Sequence, residues 1–153
     1  MEAKPEDVET IDGIIRTIYE VISGPAGPRD WERERTLFAP GAQLMPARPG
    51  QDGGPPVVDV LDLDGFIASR SPYFAANDFY EIEVARRVER FGNIAHAWST
   101  YESRRALEEP PFMRGINSIQ LFHDGSRWWV LSVLWDNERT GNPIPEGYLR
   151  SFT

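Results

Sequence analysis

The stretch from Arg114 to Glu138, RGINSIQLFHDGSRWWVLSVLWDNE, constrains this chain most. Two runs of strand-like composition flank His123-Asp124-Gly125-Ser126, and Asp-Gly between β-branched and aromatic runs is the strongest short-range hairpin signal. The turn fixes a register, and the register sorts the side chains onto two faces. One face reads Asn117, Ile119, Leu121, Trp128, Val130, Ser132, Leu134 and Asp136. The other reads Ile116, Ser118, Gln120, Phe122, Trp129, Leu131, Val133 and Trp135. Both are largely apolar, so both need covering, one by the chain's own domain and the other by a second chain.

The chain has 153 residues, enough for one domain with a core that needs no staples. A single domain over 1–153 is expected, with a loop at 46–56 and a tail at 140–153. The formal net charge of -8 and the lack of a basic stripe disfavour nucleic acid as a partner. There is no cysteine, hence no disulfide, thiolate metal site or cysteine nucleophile, which fits a cytoplasmic protein. The acidic start, MEAKPEDVET, is unlike a signal peptide, and no apolar run approaches a bilayer span, so no membrane partner is expected.

Val8, Ile11, Ile15, Ile18 and Ile22 recur at helical spacing from Pro5 to Ser23-Gly24-Pro25. Asp30 reads as the N-cap of a shorter helix, Trp31 to Phe38. Short strands are expected at Gln43 to Met45 and Val57 to Leu61, and a helix from Gly65 to about Ala76 that Pro72 divides into two turns. Strands at Phe79 to Phe91 and Ile94 to Arg105 flank a Gly92-Asn93 turn. That turn sets Val88 opposite Ala97, Arg86 opposite Ser99 and Val84 opposite Tyr101. Tyr80, Ile82, Val84, Arg86, Val88, Ala97, Ser99 and Tyr101 then form the core face. Glu81, Glu83, His96 and Trp98 form the outer one. Helices segregated from an antiparallel sheet make an α+β protein.

This order resembles the nuclear transport factor 2-like superfamily, which also houses ketosteroid isomerase and the SnoaL-like polyketide cyclases. Tyr19 to Leu44 (YEVISGPAGPRDWERERTLFAPGAQL), Ala95 to Arg105 (AHAWSTYESRR), Arg114 to Phe122 and Arg127 to Glu138 resemble a bacterial branch of it. The resemblance implies a cystatin-like cone: a curved antiparallel sheet wrapped around N-terminal helices. It also implies a pocket on the concave face and a dimer through the convex face. It implies no single activity, because the fold hosts several chemistries as well as non-enzymes.

The expected register places Arg86, Ser99, Tyr101, Asn117, Ser132 and Asp136 in the pocket, with Trp128 and Tyr80 as aromatic walls. A mostly apolar cavity with a few convergent polar groups is the usual small-molecule site. Arg86 is either an anion anchor or half of an ion pair with Asp136 or Asp59. Asp136 is the acid-base candidate on the long strands, unless it lies past the sheet edge in water. Tyr101 could donate to an oxyanion, and Asn117 could orient a ligand carbonyl. His96 and His123 fall outside the pocket, which disfavours chemistry of the scytalone dehydratase type. The epoxide hydrolase pattern lacks a second acid beside Arg86. The ketosteroid isomerase pattern needs two pocket carboxyls and a tyrosine, and only Asp136 and Tyr101 match.

No metal-ligand cluster or phosphate loop is present in the sequence, so no metal or cofactor is expected. Trp129, Leu131, Val133 and Trp135 are expected to form a homodimer interface. Three functions stay open. One is a cofactor-independent lyase or isomerase on a small, partly apolar carbonyl or hydroxy compound. The others are a non-catalytic ligand-binding protein and a protein-interaction module.

Overall fold

A computed structural model describes residues 1–151. Helices α1 (Pro5–Val8) and α2 (Ile11–Ile22) replace the single expected helix. The break falls at Glu9-Thr10, where the Thr10 side chain accepts from Gly13 N at 2.9 Å and so caps α2. One face of α2 buries Ile14, Ile15, Ile18, Tyr19 and Ile22. Helix α3 (Trp31–Arg35) starts at the expected cap, Asp30. Helix α4 (Leu63–Ala76) runs through Pro72 without a break, a correction to the two turns expected there. Pro72 and Ala68 are both exposed, so the carbonyl that loses its partner faces water.

Strands β1 (Phe38–Arg48), β2 (Val57–Val58), β3 (Tyr80–Phe91), β4 (Ile94–Arg104), β5 (Met113–His123) and β6 (Trp128–Asn137) form one sheet, ordered β2-β1-β6-β5-β4-β3. The β1–β6 pair is parallel and the rest are antiparallel. β1 is much longer than the expected Gln43–Met45 strand. The core lies between the concave sheet face and α2, α3 and α4, and includes Ile14, Ile15, Leu37, Ile119, Leu121 and Val130.

Both hairpin turns set the expected register beside them: Phe91 pairs with Ile94, Arg86 with Ser99, and Phe122 with Trp129. A bulge then intervenes on each hairpin. On β3, Glu83 rather than Val84 pairs with Tyr101. On β6, Leu131 is the extra residue, so Val133 pairs with Ile119 and Trp135 with Asn117. An extra residue reverses every side chain beyond it. Glu81 and Glu83 therefore face inward and Tyr80 and Ile82 outward, the opposite of the expected faces. Glu83 shares a side with Arg86 and binds it (Nη2–Oε1 2.6 Å), which refutes the uninterrupted register. Likewise Val133, Trp135 and Asn137 turn inward, while Ser132, Leu134 and Asp136 turn outward.

The tail packs on its own domain. Tyr148 O accepts from Thr100 Oγ1 at 2.6 Å, and the Tyr148 ring lies 6.0 Å from that of Trp98. Part of the convex face is thus covered from within the chain. No helix among the described residues is long and apolar enough to cross a membrane.

Candidate functional site

A cavity of about 540 Å³ opens between the concave face of the sheet and α2, α3 and α4. This is the size of a small-molecule pocket. Its apolar wall includes Ile18, Phe38, Leu44, Phe66, Phe74 and Trp135. Phe66 stands edge-on to Trp135, with ring centroids 6.0 Å apart. The polar groups on the wall include Glu34, Arg70, Glu81, Tyr101, Asn117 and Asn137.

Glu34 enters from α3. Glu34 follows the half-buried Trp31 by three residues on α3, so the helix face that packs the ring inward also carries the acid inward. Glu34 is 2% exposed, and its Oε2 has no hydrogen-bond partner among the described residues. Burial raises its pKa to about 8, with only partial relief from the charge of Arg35. Glu81 enters from β3 because of the bulge. Burial raises its pKa to about 7, while a 3.4 Å hydrogen bond from Ser103 Oγ and the charge of Arg70 pull it down. At neutral pH Glu34 is thus mostly protonated and Glu81 divided between its two forms, the property that acid-base catalysis needs.

Tyr101 lies across Gly115. A Cβ there would strike the Tyr101 hydroxyl and sit 2.5 Å from the Asp136 carbonyl, so only glycine lets the ring pass. The Tyr101 hydroxyl donates to Asn137 Oδ1. Burial, then the charge of Glu81, hold the Tyr101 pKa well above its usual range, so it stays a donor. With its oxygen engaged, Asn137 has its amide N–H group left for a ligand. Asn117 donates to Tyr19 Oη at 3.0 Å, and Tyr19 lies 2.6 Å from Ser99 Oγ.

Of the residues expected in the pocket, Tyr101 and Asn117 line this cavity together. Ser99 is fully buried behind Tyr19. Arg86 is on the concave side but is held by Glu83 and Asp12, outside the cavity walls. Trp128 is 2% exposed, in the core against His123, with the rings 5.0 Å apart. Tyr80 pairs with Arg104 on the opposite parity from Glu81. Ser132 pairs with Gln120 on the convex face. Asp136 is also convex and is bound by Arg139 (Nη1–Oδ1 2.7 Å), so it does not reach the cavity. The expected interface residues also divide: Trp129 and Leu131 lie outside, whereas Val133 and Trp135 line the cavity. Glu34, Glu81 and Asn137 were missed. The spacing in Trp31-Glu-Arg-Glu34 carried a signal for the first; nothing in the sequence marks the bulges that turn the other two inward.

No family model and no curated protein matches the chain. Solved structures do resemble it. A protein of unknown function with a cystatin-like fold from Nostoc punctiforme aligns with a TM-score of 0.61 at 9% identity, over 92% of this chain and 97% of that one. A candidate dehydratase of the NTF2-like family from Streptomyces avermitilis aligns at 0.58 and 14% identity, over 84% and 94%. An NTF2-like protein of unknown function from Silicibacter pomeroyi aligns at 0.56 and 19% identity, over 84% and 92%. At these identities the likeness is one of fold. It agrees with the curved six-stranded sheet and its helices: the chain has the nuclear transport factor 2-like, cystatin-like α+β fold.

Proposed function

We propose that this protein is a cofactor-independent lyase or isomerase that moves a proton on a small, partly apolar carbonyl or hydroxy compound. The observation that carries the reading is a pair of carboxyls, the buried Glu34 and the half-buried Glu81, that line one largely apolar cavity with Tyr101. Glu81 takes a proton from the substrate and returns it. Its ionised form sits in a poorly solvated site, where it is a stronger base than in water. Glu34 in its neutral form donates to the oxygen on which charge develops, as a carboxylic acid kept protonated by an apolar site can. The Asn137 amide, fixed by Tyr101, supplies a second donor. Two pocket carboxyls and a tyrosine are the set that the ketosteroid isomerase pattern requires. The Streptomyces avermitilis neighbour, a candidate dehydratase, has a fold compatible with the same class of chemistry.

The reading includes a homodimer through the exposed apolar part of the convex face, where Phe122, Leu131 and Leu134 are each about 40% exposed. It also includes a cytoplasmic setting, which the lack of cysteine supports.

Solvent deuterium exchange tests the chemistry. The protein is incubated in deuterium oxide with a panel of small aromatic ketones and alcohols, and loss of C–H signals beside the oxygenated carbon is followed by NMR. Wild type should catalyse exchange for some members. Glu81→Gln should slow it by about 10²-fold or more, the usual worth of a positioned acid or base. Undiminished exchange in Glu81→Gln would sink the mechanism. Binding without exchange in wild type favours a carrier of the same ligands.

A further inference from the structure

A chain of hydrogen bonds runs from the cavity wall to the protein surface. Asn117 Nδ2 is 3.0 Å from Tyr19 Oη, and Tyr19 Oη is 2.6 Å from Ser99 Oγ. Ser99 Oγ is 2.5 Å from Glu83 Oε2. Both Glu83 oxygens are held by Arg86, at 3.0 Å and 2.6 Å, and Arg86 also binds Asp12. Ser99 is fully buried and Asn117 is 5% exposed, so no bulk water intervenes.

The direction of every proton in this chain follows from its outer end. A carboxylate gripped by a guanidinium only accepts, so Ser99 spends its single proton on Glu83. The short contact between Ser99 and Tyr19 then needs the Tyr19 proton. Were that proton turned toward Asn117, two bare oxygens would face each other at 2.6 Å. Tyr19 must therefore accept from Asn117, and only the amide N–H group can supply that bond. The Asn117 amide is thus locked in one of its two orientations, a choice that shape alone does not make. Its Oδ1 has no hydrogen-bond partner among the described residues, and Asn117 lines the cavity.

We infer that Asn117 presents a fixed carbonyl oxygen to the ligand, and that the Glu83–Ser99–Tyr19 chain makes the site select a hydroxyl or amine donor over an ether or ketone of the same shape. This deepens the proposed function and rests on the cavity being a small-molecule site. Of the carbonyl and hydroxy compounds considered there, it singles out those carrying a free hydroxyl. The Asn137 amide, whose oxygen is taken by Tyr101, presents the opposite polarity. A hydroxy-carbonyl compound would satisfy both. Ser99, Tyr19 and Glu83 act here through Asn117 and are positioning residues.

The test uses 2-naphthol and 2-methoxynaphthalene, bicyclic aromatics that differ in whether the oxygen carries a proton. Affinities are measured by ligand-observed NMR titration, without turnover. Wild type should prefer 2-naphthol by about tenfold or more, because an acceptor left without a donor in a dry site is costly. Ser99→Ala removes the group that fixes the Tyr19 proton. Tyr19 then donates to Asn117, the amide turns over, and the preference should fall to within about threefold or reverse. A merely structural serine would weaken both probes equally and keep their ratio. Tyr19→Phe is the second variant and should likewise abolish the preference. Nuclear Overhauser contacts from the Asn117 amide protons to the Tyr19 ring should be present in wild type and lost in Ser99→Ala. Equal binding of both probes to wild type overturns the inference and leaves the pocket intact. An unchanged ratio in both variants does the same. Failure of both probes to bind at millimolar concentration overturns the pocket reading itself, whereas binding of 2-naphthol alone supports the inference.

Discussion

Glu34→Gln is the perturbation that isolates the buried acid. In the folded chain burial raises its pKa from the usual 4.5 to about 8. Below the lower value the carboxyl is protonated in folded and unfolded chains alike, and burial carries no ionisation penalty. Between the two values the folded chain keeps a proton that the unfolded chain has lost, so stability falls as pH rises. Above the upper value the penalty is complete. A tenfold change in proton affinity is about 1.4 kcal/mol, so the full penalty is at most about 5 kcal/mol. Water entering the cavity beside Glu34 reduces it, and about 2–4 kcal/mol is the expected range. Glutamine does not titrate. Its amide meets no hydrogen-bond partner at the Oε2 position among the described residues, which costs about 1–3 kcal/mol at every pH. The variant should therefore be less stable than wild type at about pH 5 and equal or more stable at about pH 9. All other titrating groups are common to both proteins and cancel in the difference. Thermal melts at both pH values measure it. For a chain of this length, a relative change of ~2 kcal/mol moves the Tm difference by about 4–8 °C. A difference in stability that is the same at both pH values would show that Glu34 does not carry the raised pKa.

Gly115→Ala should cost about 1–3 kcal/mol in urea unfolding, since the added Cβ meets the Tyr101 hydroxyl and the Asp136 carbonyl. It should also weaken probe binding, because Tyr101 fixes Asn137. Asp7→Ala should cost about 3–5 kcal/mol. Asp7 is fully buried and binds Arg33 through both oxygens, at 2.9 Å and 2.8 Å, and Thr17 as well. Its pKa is lowered, first by the Arg33 hydrogen bonds, so its contribution is complete above the usual 3.8 and disappears as pH falls through the lowered value. On the convex face, Leu134→Glu should shift the protein toward monomer in sedimentation velocity, with unchanged secondary structure by circular dichroism. A wild-type monomer at micromolar concentration counts against the dimer.

Most elements of the fold were legible because each leaves a local chemical mark. Asp30 announces a helix start, and α2 carries its stripe at helical spacing. Gly92-Asn93 and Asp124-Gly125 fix two turns and the pairs beside them. The candidate site was much less legible. Tyr101 and Asn117 fall on the expected inner face because β4 and β5 pair without interruption from end to end. Asp136, Ser132, Trp135, Val133 and Tyr80 were misplaced because their strands contain bulges that no glycine or proline marks.

Burial could not correct the register either. On β6 the sets Val130-Ser132-Leu134 and Leu131-Val133-Trp135 are about equally apolar, so neither face declares itself the inner one. On β3 the bulge lies against expectation, turning Glu81 and Glu83 inward and Ile82 and Val84 toward solvent. A chain that minimised its free energy by hydrophobic burial alone would take the other register on β3. What holds the acids inside is a set of polar contacts. Arg86 binds Glu83, Ser99 donates to it, and Ser23 Oγ accepts from Glu81 N at 3.0 Å. Glu81, unlike Glu83, has no charged partner in hydrogen-bond reach among the described residues; Ser103 is its side-chain contact. The local sequence rule thus fails where the sheet delivers an unpaired acid to a cavity, and such failures concentrate at functional sites. The bulge on β6 acts with it by delivering Trp135 and Asn137 to the same cavity. The two irregularities together convert a sheet with an apolar interior into one with an acid, an amide and an aromatic wall around one space.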